Sequence, residues 1–274
     1  MADRLQKLQQ ELSQNQQKTE LEFADEGRIG IIYLNSPKEL NALSDQMRYE
    51  ISTKINALSQ NDQVKVIVIL SKCEKAFCAG ANIKEFSDLT YEKQNIQDKF
   101  YNLDRALSDC VKPIVAGVNG YALGGGLEVA LACDIIILQE GAKLGLPELS
   151  LGLIPGLGGN IRLTNQIGQY NASRLILSGE MISAEKALHL GLGTEILKKE
   201  NFQENVINFA KKISAKSMTA LIAAKKSILS AQEQGLSQAI KTERQLFNPL
   251  FYTQGKQEGV DAFLNKRKPN FNKC

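Results

Sequence analysis

The chain has 274 residues, of which 43% are hydrophobic and 23% are charged, a composition typical of a soluble globular protein that buries its own core. Its 33 Lys and Arg residues against 30 Asp and Glu residues give a net charge of +3, which is too small for the whole surface to attract a polyanion. The single histidine, His189, excludes a multi-histidine metal centre, and its helical context predicts an exposed helix end, not a zinc ligand or a member of a serine triad.

Charge is distributed unevenly along the chain. Residues 198–274 hold 14 of the 33 Lys and Arg residues and 6 of the 30 Asp and Glu residues, a net charge of +8 that leaves −5 for residues 1–197. We expect any phosphate-binding surface to draw on this C-terminal segment. The odd number of cysteines, without a C-x-x-C pair or a signal peptide, predicts reduced thiols in an intracellular compartment at Cys73, Cys78, Cys110, Cys133 and Cys274.

The N-terminal segment, residues 1–19, is Gln-rich and has leucines at helical spacing (Leu5, Leu8 and Leu12), which predicts a short amphipathic helix. It holds acidic residues and little arginine, unlike a transit peptide. The most apolar stretch, residues 113–127, is shorter than the roughly 20 residues that a membrane helix needs, so we predict no membrane span. The last three residues do not form a peroxisomal signal.

The next elements alternate between strands and helices. Residues 20–34 alternate around a Glu26-Gly27 turn, which predicts a β-hairpin, and residues 44–58 have helical periodicity. Runs of β-branched residues predict buried strands, each leading into a glycine-bearing turn, at 64–70, 114–118 and 135–138. This order predicts an α/β fold in which strand and helix units stack with their turns gathered on one side.

From Ser183 onward the pattern is helical almost throughout. It predicts a helical region over residues 198–274 that follows a core of residues 20–197. We expect this region to form an oligomer, because one small region would cover its apolar side chains poorly; they include Phe202, Phe209, Phe247 and Phe251.

Three successive glycines, Gly124 to Gly126, precede a helix predicted over residues 127–133. The stretch has neither the G-x-G-x-x-G spacing of a dinucleotide site nor the Lys-Ser/Thr of a phosphate loop. Two interpretations remain. The glycines allow a helix and a strand to pack closely, or they present a backbone N–H at the positive end of the helix, as an oxyanion hole requires.

Two glutamates follow glycine-rich turns beside predicted strands. Glu128 lies in the first turn of the helix, and Glu148 follows the turn at residues 145–147. The helix dipole explains either glutamate alone. Two carboxylates that face one apolar cavity resist ionising together, so one can donate a proton while the other accepts one. The pair is therefore a candidate acid and base.

These segments resemble those of the crotonase (enoyl-CoA hydratase/isomerase) superfamily, and most closely those of the short-chain enoyl-CoA hydratases of fatty-acid β-oxidation. The resemblance covers about residue 20 to the end, in the family's order and spacing. The segments that carry it are residues 34–43, AFCAGANIKEF (76–86), KPIVAGVNGYALGGGLEVALACD (112–134), LGLPELSLGLIPGLGG (144–159), LSGEMISAEKALHLGL (177–192) and EGVDAFLNKRKPNF (258–271).

The resemblance implies a crotonase-like spiral of ββα units with a C-terminal helical trimerisation region, in trimers or pairs of trimers. It implies hydration of a trans-2-enoyl-CoA thioester to the 3-hydroxyacyl-CoA, with no metal and no cofactor besides the CoA of the substrate. The backbone N–H groups of Ala81 and Gly125 would form the oxyanion hole. Glu128 would activate the water as a base, and Glu148 would supply the proton to the α-carbon.

The resemblance also implies a binding site for the CoA part of the substrate. Lys266 would reach the CoA phosphates, and Lys38 is a further candidate for a phosphate contact. The adenine and pantetheine would contact Ala81, Asn82, Ile83 and Lys84.

The chain departs from the family pattern at two positions. Asn82 stands where the family loop usually has Asp, and we expect little effect because the backbone acts there. Leu146 stands where close hydratases often have a polar residue, so we expect it to dry the cavity wall beside Glu148.

Three other functions stay open at this point. A Δ3,Δ2-enoyl-CoA isomerase would use one carboxylate to move a proton between carbons. A scaffold subunit would keep the fold without turnover. A binding protein would use the basic C-terminal segment for RNA, although no aromatic-flanked basic motif supports it and we predict no nucleic-acid partner. For the compartment, the resemblance favours the mitochondrial matrix, with the cytoplasm as the alternative, and no secretion is expected.

Overall fold

The computed structural model describes residues 17–87, 89–92, 98 and 100–273, so the helix predicted near the N-terminus lies almost wholly outside the described residues. Ten strands are found in this part of the chain: β1 (Thr19–Ala24), β2 (Ile29–Leu34), β3 (Val66–Ser71), β4 (Ala76–Cys78), β5 (Ile114–Val118), β6 (Tyr121–Leu123), β7 (Ile135–Gln139), β8 (Lys143–Gly145), β9 (Ile182–Ser183) and β10 (Glu195–Leu197).

Ten helices accompany these strands in the described residues. They are α1 (Asp45–Gln60), α2 (Tyr101–Ser108), α3 (Gly125–Leu131), α4 (Gly159–Ile167), α5 (Gln169–Ser178), α6 (Ala184–His189), α7 (Phe202–Ser214), α8 (Met218–Glu233), α9 (Leu236–Phe247) and α10 (Gln254–Leu264). Across the described ranges, no helix combines the length and the apolar character that crossing a membrane requires.

The strands form two sheets. The larger has the order β1-β2-β3-β5-β7-β10, and the smaller has the order β4-β6-β8-β9. The predicted hairpin is confirmed, since β1 and β2 pair antiparallel, whereas β2, β3, β5, β7 and β10 pair in parallel. Each successive pair (β3 and β4, β5 and β6, β7 and β8) gives one strand to each sheet, which confirms the predicted spiral of repeated units.

The larger sheet is covered on both faces, which explains why β3 is a continuous apolar run without alternation. On one face Ile67 and Ile69 belong to a core that includes side chains of α1. On the other face Val66 and Val68 pack with side chains of α7. A parallel strand between two layers buries every side chain, so its sequence carries no exposed polar position.

The expectation that Phe202 and Phe209 are poorly covered in the single chain is wrong, because both lie on α7, which packs against the larger sheet. Phe202 is buried against the larger sheet and Phe209 is half-buried there, so neither contributes an open apolar surface. Phe247 and Phe251, which form an edge-to-face pair with ring centroids 5.2 Å apart, are each 53% exposed. The apolar surface predicted for this region therefore lies on the later helices only.

A buried lysine attaches the C-terminal helices to the sheet. The Lys225 Nζ of α8 lies 2.7 Å from Asp134 Oδ2 and donates to the Lys112 carbonyl at 2.9 Å. The same Asp134 oxygen accepts the backbone N–H of Ile114 at 2.7 Å. One charged pair thus links α8 to the start of β5 and the turn before β7.

The predictions for the histidine and for the thiols of the described cysteines are confirmed. His189 is the last residue of α6 and is exposed, as predicted. The described cysteines are all free, and Cys73, Cys78 and Cys110 are buried.

The helix α3 packs tightly against the smaller sheet at Gly126. A Cβ added there would lie 2.1 Å from the Cys78 carbonyl oxygen, a distance that no side chain tolerates. Any residue other than glycine would push α3 away from β4.

We predict that Gly126→Ala destabilises the protein by at least about 1–3 kcal/mol, because the methyl group overlaps backbone atoms that cannot move aside. The matched control is Gly235→Ala, since a Cβ at Gly235 meets nothing within 4 Å and its φ of −64° suits alanine. The measurement is the midpoint of thermal or urea unfolding. Equal midpoints for the two variants would contradict the prediction.

Candidate active site

A cavity of about 440 Å³ opens where three loops of the spiral meet. The strands β4, β6 and β8 pair in parallel, so the segments that follow them emerge at the same edge of the smaller sheet. The lining is mainly apolar, with two carboxylates: Ala79, Gly80, Ala81, Ile83, Phe86, Leu89, Phe100, Gly124, Gly125, Glu128, Pro147, Glu148, Leu151, Leu153, Ile154 and Gly156.

Two residues that line this cavity, Ala81 and Gly125, have backbone N–H groups without a backbone partner in the described part of the chain. The first hydrogen bond of α3 runs from the Glu128 N–H to the Gly124 carbonyl at 3.0 Å. The Gly125 N–H lies before it, in the first turn, and therefore has no acceptor within the helix. A Cβ added at Gly125 would lie 3.7 Å from the Ala81 nitrogen. Within the described residues, neither N–H donates to a backbone carbonyl. The two groups can therefore bind one oxygen atom that carries negative charge.

The loop that carries Ala81 is held close to α3 by a glycine. Gly80 has a φ of +103°, and a Cβ there would lie 2.9 Å from the Leu123 carbonyl oxygen. An L-residue is disfavoured by this backbone conformation and has no space for a side chain. The sequence left two interpretations of the glycines open, and both apply: the glycines allow close packing, and they leave backbone amides without a backbone acceptor among the described residues.

Glu128 is 3% exposed and lies at the wall of the cavity. Its Oε1 accepts the backbone N–H of Leu157 at 2.6 Å and that of Gly159 at 2.8 Å. Burial raises the pKa of Glu128 above its ordinary value, while the amides of the 156–159 loop and the Arg162 guanidinium act against that rise. Glu128 is therefore a buried carboxylate whose ionised form is stabilised by two amide hydrogen bonds and by the charge of Arg162.

Glu148 has a different environment at the same cavity. It begins a short 3₁₀ turn after β8, and its Oε2 is buried without a hydrogen-bond partner. Burial, with a smaller effect from the neighbouring Glu128 charge, raises the pKa of Glu148 to about 7. A carboxyl group with this pKa is partly protonated near neutral pH and can act as a proton donor.

The carboxylates of Glu128 and Glu148 lie beside adjacent glycines. A Cβ added at Gly124 would lie 2.8 Å from Glu148 Oε1, and one added at Gly125 would lie 3.9 Å from Glu128 Oε2. The structure thus brings together the two glutamates and the two backbone N–H groups that the sequence indicated.

Of the residues predicted to bind CoA, some line the cavity and others lie outside its described lining. Ile83 lines the cavity, and the Asn82 amide contacts Glu85 Oε1 at 3.4 Å on the adjoining turn. Three exposed lysines are not among the described residues that line the cavity: Lys38, Lys84 and Lys266. Lys266 lies two residues after the end of α10.

Leu146 does not form the cavity wall, contrary to the expectation from the sequence. It is fully buried in the main core cluster and is absent from the described lining. The reason is its place directly after β8, where successive side chains point to opposite sides of the chain. The dry environment of Glu148 therefore comes from the apolar cavity residues.

The loop that holds Glu128 was not among the site residues predicted from the sequence. Leu157 and Gly159 provide the two amide donors, and Arg162 donates to the Leu157 carbonyl at 2.6 Å. The available signal was the glycine-rich stretch at residues 155–159 followed by an arginine. Another arginine, the buried Arg48, contacts Glu85 at 3.1 Å and lies 5.0 Å from the centroid of the Phe100 ring, which lines the cavity.

Comparison with known proteins gives one consistent family. A family model described as enoyl-CoA hydratase/isomerase matches residues 24–273. A probable enoyl-CoA hydratase of Rhizobium meliloti (strain 1021) is 40% identical over 246 residues, which are 90% of this chain and 95% of that protein. The mitochondrial enoyl-CoA hydratase of Pongo abelii is 40% identical over 243 residues, 89% of this chain and 83% of that protein.

Solved structures agree with the sequence relatives. An enoyl-CoA hydratase subunit I from Geobacillus kaustophilus HTA426 superposes with a TM-score of 0.88 at 36% identity. The match covers 93% of this chain and 99% of that one, so the similarity extends over the whole fold.

The raised pKa of Glu148 implies that the free energy of unfolding depends on pH. Because its folded-state pKa of about 7 exceeds the ordinary 4.5, the proton bound to Glu148 stabilises the folded state at low pH, and this stability is lost as pH rises through about 7. Glu148→Gln removes the titration. We expect the variant to gain about 2 kcal/mol relative to wild type on going from pH 5 to pH 8.

The measurement is the thermal midpoint of both proteins at the two pH values. The comparison at pH 5, where Glu148 is neutral in the folded protein, is the reference from which the change up to pH 8 is measured, so a packing effect that does not vary with pH cancels. The same difference between the proteins at both pH values would show that Glu148 does not have a raised pKa.

Proposed function

The chain belongs to the enoyl-CoA hydratase/isomerase family, and from this premise we propose that it adds water to the double bond of a trans-2-enoyl-CoA thioester to form the 3-hydroxyacyl-CoA, as in fatty-acid β-oxidation. One observation carries the proposal: Glu128 and Glu148 line one cavity together with Ala81 and Gly125, whose backbone N–H groups donate to no backbone carbonyl among the described residues. Enzymes named enoyl-CoA hydratase among the relatives support it.

The thioester carbonyl occupies the position between the N–H groups of Ala81 and Gly125. When water adds to the β-carbon, negative charge moves through the α-carbon to the thioester oxygen and forms an enolate. Two preorganised N–H donors stabilise this charge more in the transition state than in the substrate, which lowers the barrier. The Gly125 N–H contributes also because it lies at the positive end of α3.

Glu128 acts as the general base. It holds the attacking water and takes one of its protons as the oxygen bonds to the β-carbon. The amides of Leu157 and Gly159 favour its ionised form and fix the position of the carboxylate, so that the other oxygen is available to the water.

Glu148 acts as the general acid. Its pKa of about 7 keeps a useful fraction protonated at neutral pH, and it delivers that proton to the α-carbon of the enolate. The added water thus supplies the hydroxyl group, and the proton left on Glu128 returns to Glu148 before the next turnover. The addition changes no overall oxidation state, and we propose that it uses no cofactor besides the CoA of the substrate.

The apolar residues of the cavity suit the acyl chain of the thioester. Phe86 and Phe100 pack edge to face with centroids 6.4 Å apart, and Leu151 and Ile154 line the opening. Contacts of the CoA part with Asn82 and Lys84, as with Lys38 and Lys266, stay predictions. For the compartment we propose the mitochondrial matrix, because the name of the Pongo abelii relative includes the word mitochondrial. The cytoplasm is the alternative, since the Rhizobium meliloti relative is a bacterial protein.

We predict that Glu128→Gln and Glu148→Gln each reduce kcat for hydration of crotonyl-CoA by at least ~10²-fold, because each removes a positioned acid or base while keeping the side-chain volume. The losses should be far from additive in the double variant, since one water depends on both carboxylates. The assay follows the loss of enoyl absorbance.

Glu140→Gln is the control, because Glu140 is exposed and outside the cavity lining, and it should retain full activity. If Glu148→Gln alone is inactive and Glu128→Gln turns over near normally, the assignment of Glu128 as base is wrong. Product analysis with a 3-enoyl-CoA would then test for isomerisation.

The enzyme forms a homotrimer, or a pair of trimers, through its C-terminal helices. Large apolar side chains on these helices are exposed in the single chain, including Leu236, Phe247, Phe251, Phe263 and Leu264. An apolar surface of this extent is typical of a subunit interface.

We predict a mass in solution of three or six protomers, and a shift toward monomer in Phe247→Arg, because the half-exposed ring would be replaced by a charge inside the interface. Leu177→Arg on α5 is the control, since Leu177 is 70% exposed outside the C-terminal helices and should keep the wild-type mass. Native mass spectrometry or light scattering gives the mass. A monomer at micromolar concentration would refute the proposal.

A further inference from the structure

Arg162 of α4 connects the loop that holds Glu128 to a separate helix. Its Nη1 donates to the Leu157 carbonyl at 2.6 Å. Its Nη2 donates to Asp104 Oδ1 at 3.0 Å and to Ser108 Oγ at 2.9 Å, both on α2. The planar guanidinium therefore bridges two elements that are more than 50 residues apart in the sequence.

The peptide groups on both sides of Leu157 participate in this connection. The Leu157 N–H donates to Glu128 Oε1 at 2.6 Å, while the Leu157 carbonyl accepts from Arg162. The Gly159 N–H gives Glu128 its second hydrogen bond at 2.8 Å. A movement of Arg162 would thus be transmitted to the carboxylate through one residue.

Gly158 makes room for the guanidinium. Its φ is +87°, and a Cβ there would lie 2.3 Å from Arg162 Nη1. The loop is therefore shaped around the arginine, with a backbone conformation that favours glycine at the point of contact.

We propose that Arg162 is a positioning residue for the proposed hydration, which fixes the loop amides of Leu157 and Gly159 and through them the direction of the Glu128 carboxylate. The inference rests on the proposed function. Arg162 does not need to touch the substrate, because its effect on the reaction passes through Glu128.

The charge of Arg162 adds a second effect at the same place. The guanidinium lowers the pKa of Glu128 and so opposes the effect of burial. The other charged groups around this pair are Glu148 on the turn after β8, whose pKa is raised by the Glu128 charge, and Asp104 on α2, which forms an ion pair with Arg162. Replacing Arg162 with a neutral residue should raise the pKa of Glu128, so that ionisation of the base requires a higher pH.

The experiment compares four proteins with wild type: Arg162→Met, Arg162→Lys, the double variant Asp104→Ala/Ser108→Ala, and the control Arg174→Met. Arg174 suits the control because it makes an exposed ion pair with Glu180 at 2.7 Å on another helix. Crotonyl-CoA hydration gives kcat and KM over pH. Hydrogen exchange, followed by mass spectrometry on peptides that cover residues 155–161, reports on the loop amides without any substrate.

We expect Arg162→Met to lower kcat by about 10- to 10²-fold with KM within twofold of wild type, since a displacement of about 1 Å at a reacting group has an effect of this size. The acid limb of its kcat profile should move to higher pH. Arg162→Lys keeps the charge but cannot bridge both partners, so its acid limb should stay in place while kcat falls. The peptides of residues 155–161 should exchange faster in both variants, and Arg174→Met should match wild type.

The proposal is overturned if Arg162→Met folds and keeps kcat, the acid limb and the exchange of residues 155–161 at wild-type values. If Arg162→Met does not fold, Asp104→Ala/Ser108→Ala decides the question, because it leaves the arginine and removes both of its hydrogen-bond acceptors on α2. Wild-type kcat and loop exchange in that variant would likewise overturn the proposal. If wild type itself does not hydrate crotonyl-CoA, the proposed function fails, whereas hydrogen exchange still tests whether Arg162 holds the loop.

Discussion

The short distance between α3 and β4 is the constraint on which the site depends. At Gly126 the helix backbone lies against the Cys78 carbonyl, with no space for a Cβ. This contact places the first turn of α3 beside the loop that carries Ala81. Two backbone N–H groups from different segments can then converge on one point, and Glu128, three residues after Gly125, is directed into the same cavity. Backbone donors held in this way need no reorganisation when charge develops on a substrate.

The two glutamates have unequal environments in one apolar cavity. Burial disfavours the charged form of both. At Glu128 this effect is opposed by amide hydrogen bonds and by Arg162, whereas Glu148 has an unpartnered buried oxygen. In the proposed reaction this difference separates the proton acceptor, Glu128, from the proton donor, Glu148. The proposed reaction uses an environment that is unfavourable for the Glu148 charge, a common relation between stability and function.

Part of the positive charge in the C-terminal segment serves the fold itself. Lys225 is buried, pairs with Asp134 and donates to a backbone carbonyl. A lysine outside this segment acts in the same way: Lys65, just before β3, donates to the carbonyls of Lys216 and Phe271 in the C-terminal segment at 3.2 and 2.8 Å. These ammonium groups satisfy carbonyls where helices meet the sheet. The excess of lysine in this segment is therefore an incomplete guide to phosphate binding, although the sequence alone suggested that use.

The amino-acid sequence by itself determined the hairpin, the buried strands, the glycine-rich turns and the pair Glu128 and Glu148, because periodicity, β-branched runs and turn residues report on the local environment of each segment. Tertiary structure alone decided that Leu146 lies in the core, that Phe202 covers the sheet, and that Arg162 reaches Asp104. Each of these depends on which surface packs against a segment distant in the chain. A pattern of neighbouring residues carries no record of such a contact, since it shows that a side chain is buried but not what it is buried against.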